Sequence, residues 1–156
     1  MKRLLLAVVL VLTGCSGHRS EPGDVFNLHA QLNAQPNGPL SYPVLSWTVL
    51  TTSVDRSQQT NSTLFANTAA AAAARSGQTS YSQGAVVALV TWHQSEDPHW
   101  FGARIPGDPA QVEVVEFTAS GPKYRLFTGS PLAEQTSPNR PDRIAAIAGM
   151  KAVVFP

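Results

Sequence analysis

Cysteine is nearly absent: the 156 residues contain one, Cys15. A lone thiol excludes an internal disulfide, a thiolate zinc site and an iron–sulfur cluster. It also excludes the paired thiols of a C-x-x-C-H haem-attachment motif. Charge is sparse, and Lys and Arg form no run. Nucleic-acid binding needs a clustered basic footprint, so that class is set aside. The sequence has no G-x-S-x-G, no phosphate-binding P-loop and no G-x-G-x-x-G, so no local motif marks a nucleophile or a nucleotide site. No apolar run reaches the ~20 residues that a membrane-spanning helix needs. The longest, Leu4 to Leu12, has about half of that.

That short run has a specific reading. Lys2 and Arg3 precede it, and Leu12-Thr13-Gly14-Cys15 follows. A positive start, a short apolar stretch and a small-residue end make a secretory signal. The cysteine in last place makes it a lipobox. Residues 1–14 are therefore expected to be removed and Cys15 to become the lipidated first residue, carrying acyl chains, palmitate among them. Each buried CH₂ contributes ~0.8 kcal/mol, so two or more chains anchor stably where one does not. Ser16 rather than Asp follows the cysteine, which points to the outer membrane and not to retention at the inner one. An ordinary secretory signal with an incidental cysteine is the alternative. Loss of Lys2 and Arg3 leaves nine basic against ten acidic residues, a formal charge of −1. The remaining chain suits one domain with one hydrophobic core.

Residues 15–41 read as the lipidated N-terminus and a flexible tether, broken by Pro22, Pro36 and Pro39. Within it, Val25 to Leu28 is an apolar patch able to dock on the domain. The domain proper spans 42–156. Val44 to Val54 is rich in β-branched and aromatic residues and predicts a strand. Asn61-Ser62-Thr63 offers capping oxygens, and Leu64 to Ala74 predicts a helix from about Ser62 to Gly77. Ala85 to His93 predicts a central strand, Trp100 to Ile105 a short one ended by Pro106-Gly107, and Gln111 to Thr118 another. Lys123 to Phe127 pairs with that last strand across Ser120-Gly121-Pro122. Residues 128–141 read as loop, and Pro141 to Met150 as a short helix. The expected fold class is α+β: a mainly antiparallel sheet with one or two packed helices. Trp47, Trp92, Trp100 and Phe101 are expected in its core, since aromatics this dense would otherwise make an exposed patch.

The densest polar–aromatic stretch is Trp92 to Phe101, with His93, Glu96, Asp97 and His99. Such donors suit a metal in type but not in spacing, and the reading adopted is a polar hairpin loop between two strands. Glu113 and Glu116 are expected to face solvent or to pair with Arg125.

Four segments then resemble the cytochrome P-460 domain family: SWTVLTTSVDRS (46–57), LFANTAAAAAA (64–74), YSQGAVVALVTWHQSEDPHWFGARIPG (81–107) and VEVVEF (112–117). Asn67 and Ala70 match an N-x-x-A piece, Gly84, Ala85 and Trp92 a G-A-x₆-W strand, and Asp97, Trp100, Ile105 and Pro106 a D-x-x-W segment. The resemblance covers about residues 42–127. It implies an antiparallel β domain with packed helices, related to the cytochromes c′-β, which bind c-type haem and handle hydroxylamine or nitric oxide. In those proteins the haem hangs on a C-terminal C-x-x-C-H. This sequence has neither Cys nor His after Phe127, and no lysine in residues 57–122 to crosslink a haem. The fold is carried over and no haem-site residue is.

The expectation is thus a membrane-anchored periplasmic lipoprotein with a domain that has lost covalent haem, serving as a binding or envelope-accessory module. It has no assigned catalytic, metal or cofactor residue. Its stated partner is the membrane, and neither a small-molecule ligand nor a protein partner is identified. The enzyme alternative is an oxidoreductase, or a nitric oxide- or hydroxylamine-handling protein, that binds haem non-covalently through His93 or His99. A structural lipoprotein with only protein partners is the third reading.

Overall fold

A computed structural model describes residues 30–32, 40–78, 80–136 and 140–153. The lipobox, Cys15 and the Val25–Leu28 patch lie outside these residues. Six strands form one antiparallel sheet: β1 (Thr48–Asp55), β2 (Thr60–Ala66), β3 (Val86–Glu96), β4 (Arg104–Thr118), β5 (Gly121–Thr128) and β6 (Ala133–Gln135). The order across the sheet is the order along the chain, so each strand pairs with its sequence neighbour. Two helices, α1 (Thr68–Arg75) and α2 (Pro141–Ala148), pack on it. The α+β, mainly antiparallel expectation holds.

Both faces of the sheet are covered, which explains the near-continuous apolar run of β3. Val86, Ala88, Val90 and Trp92 point to one face, with Phe65, Val112, Val114 and Phe127 beside them. Leu32, Leu40 and Val44 close that face, all less than 5 % exposed. The chain just before residue 42 thus contributes core to the domain. Val87, Leu89, Leu64, Ala66 and Val115 point to the other face, which Ala70 and Ala71 of α1 and Ile144 and Ile147 of α2 cover. Alanine's small side chain lets α1 lie flush on the sheet: Ala70 is 0 % exposed and Ala71 1 %. At the far end of the described chain, the Val153 N–H donates to the Leu50 carbonyl at 2.8 Å.

Several expectations need correction. The helix expected from Ser62 begins at Thr68, and residues 60–66 are strand. Asn61, Ser62 and Thr63 are poor helix formers, and in β2 they pair on both sides with β1 and β3. The Ser62 and Thr91 hydroxyls hydrogen-bond across the strands at 2.9 Å. The true cap is Asn67, whose Oδ1 accepts from the Ala70 N–H. Val44–Ser46 is a turn of 3-10 helix after Pro43, and β1 starts at Thr48.

Pro106-Gly107 does not end a strand. β4 runs through Pro106 and Pro109, with register shifts opposite Trp92. Proline is tolerated at bulges and on edges, and β5 leaves β4 at the Gln111–Thr128 pair, so this part of β4 is an edge. Gly107 suits the close approach, since a Cβ there would stand 3.1 Å from the His93 carbonyl oxygen. Residues 133–135, expected as loop, form the short β6. Finally, Trp92 is buried and Trp47 half-buried, but Trp100 is 73 % and Phe101 110 % exposed. They sit in the connection between β3 and β4, where none of the described elements covers them.

Candidate functional site

The sheet end formed by the close of β3 and the opening of β4 holds the sequence-singled residues. His93 closes the β2–β3 pairing opposite Thr60. Beyond it, Ser95 pairs with Ile105 and Glu96 with Arg104, and the 97–103 connection follows. The Asp97 carboxylate accepts from the His99 N–H at 2.8 Å, the Asp97 N–H donates to the Ala103 carbonyl at 3.1 Å, and the Ala103 N–H donates to the Trp100 carbonyl at 3.0 Å. These bonds make a compact loop that leaves His93, His99, Trp100 and Phe101 exposed. Among the described residues, no group of three or more His, Cys, Asp or Glu stands together as a metal site would require.

Trp92 turns inward from the base of this hairpin. It is 5 % exposed, stands edge-on to Phe65 at 6.3 Å between centroids, and donates its indole N–H to the Ala30 carbonyl at 2.9 Å. A buried indole needs an acceptor for its N–H, and the segment before residue 42 supplies it.

The signature residues at the opposite sheet end act as a clasp. Asn67 Oδ1 accepts from the N–H groups of Ala70 (2.9 Å) and Val86 (3.1 Å), and its Nδ2 donates to the Gly84 carbonyl at 2.9 Å. Its backbone N–H donates to the Val86 carbonyl. Gly84 has φ +87°, a left-handed conformation natural to glycine, and Ala85 behind it is 0 % exposed. These positions fix where α1 leaves β2 and where β3 begins. Their role is structural.

Sequence reasoning missed one cluster. Glu113 is 2 % exposed on the helix-covered face rather than facing solvent. Arg143 of α2 grips it with two bonds, Nε to Oε1 at 2.9 Å and Nη2 to Oε2 at 2.6 Å. Tyr124 O–H donates to Oε1 at 2.7 Å and Gln111 Nε2 to Oε2 at 3.2 Å. Burial first, then the bond to Glu113, pushes the Tyr124 phenol well above its ordinary range. Among the described residues no buried side-chain polar atom lacks a partner, so the cluster is a rivet between α2 and the sheet. Strand alternation would have placed Glu113 beside Val115 on an inner face, and this was the one signal available. On the other face Glu116 does pair with Arg125, at 3.4 Å, while Arg125 also grips Glu134 with bonds of 2.8 and 2.9 Å.

No curated protein sequence is similar enough to this chain to count as a relative. The family profile described as Cytochrome P460 matches residues 42–129, more than half of the chain. The matched span runs from the 3-10 turn through β5 and holds the Asn67–Gly84 clasp, Trp92 and the 97–103 loop. The chain therefore belongs to the cytochrome P460 family.

Proposed function

We propose that this protein is a lipid-anchored module of the cell envelope, tethered through Cys15 on the periplasmic side of the outer membrane. Its cytochrome P460 domain carries no covalent haem and serves in binding or as an accessory part rather than in redox catalysis. The observation that carries the reading is the placement of thiols and imidazoles. The single cysteine closes a lipobox, and no cysteine or histidine follows Phe127.

Among the described residues, the donors present do not fit a haem pocket. Covalent attachment needs thiols beside an axial His, and lipidation consumes the one thiol. A non-covalent haem needs an axial His, Met or Tyr beside an apolar cleft. His93 and His99 are exposed and belong to neither core cluster. Tyr124 is bonded to Glu113, Tyr42 faces Glu116 and Tyr81 packs on Phe117 at 4.9 Å. Met150 lies at the edge of the helix-covered core.

A pyridine haemochrome assay tests this, on protein made in cells that also express the cytochrome c maturation machinery. The expected result is no haem that survives acid–acetone extraction. Stoichiometric resistant haem would overturn the reading and restore the family's redox chemistry. Extractable haem whose Soret band moves on His93→Ala or His99→Ala would favour the non-covalent oxidoreductase instead. Membrane attachment is read separately: wild type should gain the mass of its acyl chains and fractionate with membranes, and Cys15→Ser should do neither.

A further inference from the structure

The β3–β4 hairpin overshoots the rest of the sheet. β2 ends its pairing at His93 and β5 ends its pairing at Gln111. From His93 to Glu96 is three residues, about 10 Å of strand, and the 97–103 loop extends farther. The Gln94 N–H braces the arm at its root by donating to the Gln59 carbonyl at 2.8 Å. At the tip stand Trp100 and Phe101, adjacent in sequence and more exposed than any other large hydrophobic side chain among the described residues.

We propose that Trp100 and Phe101 are a second membrane contact, dipping into the interfacial zone of a zwitterionic bilayer and setting the orientation of the domain upon it. The proposal rests on the lipid-anchor reading for its geometry. Trp92, at the root of this arm, holds the carbonyl of Ala30, so the chain that leads back to Cys15 joins the domain beside the arm. Fourteen residues lie between the two positions, a reach of at most ~54 Å. A domain leashed there presents the aromatic tip to the surface that holds its lipid.

The chemistry favours a bilayer over a protein. Tryptophan settles at the level of lipid headgroups because its ring is apolar and its N–H polar. Two side chains on a narrow arm cannot make the ~1,200 Å² or more of a stable protein interface, whereas a covalent leash turns a weak surface contact into an intramolecular one. Three backbone N–H groups of the loop, those of Asp97, His99 and Ala103, already have partners, which lessens the penalty of leaving water. The arm carries Glu96, Asp97 and Asp108 against Arg104, so attraction to anionic lipid is not the driving force.

The test uses the acylated mature chain on vesicles of phosphatidylethanolamine and phosphatidylcholine with brominated acyl chains. Bromine should quench Trp100's share of the emission of three tryptophans, and the Trp100→Phe variant should show no quenching. Equal quenching in the two proteins, or none in either, would overturn the proposal. So would a spectral change that grows with protein concentration alone, which would mean that copies meet at the tip. A second measurement separates this idea from the anchor. The mature chain with Cys15→Ser should still partition weakly onto the same vesicles, and Trp100→Ser with Phe101→Ser should lower that partition at least about tenfold, since each ring removes substantial apolar area from contact. Its melting temperature should stay unchanged, because neither ring packs in the core. Loss of acylation with the partition intact would sink the anchor and leave the tip; the reverse would sink the tip alone.

Discussion

The side-chain amide of Asn67 donates to the Gly84 carbonyl at 2.9 Å, joining the end of β2 to the start of β3 across a 17-residue excursion that includes α1. The same side chain caps α1 and accepts from the Val86 N–H. Losing a cap alone costs about 0.5–2 kcal/mol. Asn67→Ala should exceed that range, by about 1–3 kcal/mol for each partner left buried and unsatisfied. Urea unfolding measures it. Asn67→Asp keeps the acceptor but not the donor and should fall between; a loss no larger than a simple cap would show that the clasp to β3 contributes nothing.

Trp92 tests how the segment before residue 42 is held. Trp92→Ala should destabilise by about 3–5 kcal/mol, as expected for a large buried aromatic. Trp92→Phe keeps most of the apolar volume but gives up the bond to Ala30, for a smaller loss of about 1 kcal/mol. Hydrogen exchange and limited proteolysis should then find residues 30–32 more accessible while the sheet amides stay protected. A sheet that loosens together with that segment would contradict the assignment.

Arg143 and Glu113 are linked asymmetrically, since Glu113 is enclosed and Arg143 sits partly at the surface. Arg143→Met leaves a buried carboxylate without its counter-charge and should destabilise by about 3–5 kcal/mol. Arg143→Met with Glu113→Gln should recover much of the loss, because no uncompensated charge stays inside. Thermal unfolding of the two single variants and the double variant decides it. Additive single losses would mean that the bidentate contact is not energetically coupled.

All three tyrosines have phenols held above the ordinary value. Burial is the first cause at Tyr42, Tyr81 and Tyr124, and carboxylates add to it, Glu116 at Tyr42 and Glu113 at Tyr124. A raised phenol binds its proton more tightly folded than unfolded. That contribution is complete below about pH 10, the unfolded value, and is lost as pH climbs through the folded values. Absorbance titration near the phenolate band should show no tyrosine ionising at its ordinary pH. Stability should begin to fall above about pH 10, and Tyr124→Phe should flatten the fall. A full three-phenol step at about pH 10 in the folded protein would refute it.

What the sequence revealed, and what it concealed, follows from how local each signal is. The β3 run and the alanine helix were legible because apolar periodicity and propensity act over a few residues. Residues 60–66 resemble a helix start in sequence because capping-type side chains sit just as well in a strand paired on both sides, and only tertiary pairing decides. Residue type points Trp100 and Phe101 to the core, yet their exposure depends on how far one hairpin outruns its neighbours. The sequence points Glu113 to solvent or to Arg125, because its actual partner Arg143 lies 30 residues away on a helix. The candidate site at the sheet end was legible as a polar–aromatic loop; its projection beyond the sheet was not.

Because the strands lie in chain order, the sheet can be assembled as a zipper. No strand must wait for a distant one, so each strand adds to an edge that already exists, over a short loop at every step except β2 to β3, where the α1 excursion intervenes, a topology that favours fast folding. Beyond the Arg143–Glu113 rivet, contacts at both ends of the described chain break the pattern: the segment at Ala30 must wait for Trp92, and Val153 must return to β1 at Leu50. The ends of the described chain are thus expected to lock after the sheet, and the one nearest Cys15 after the arm beside it has formed.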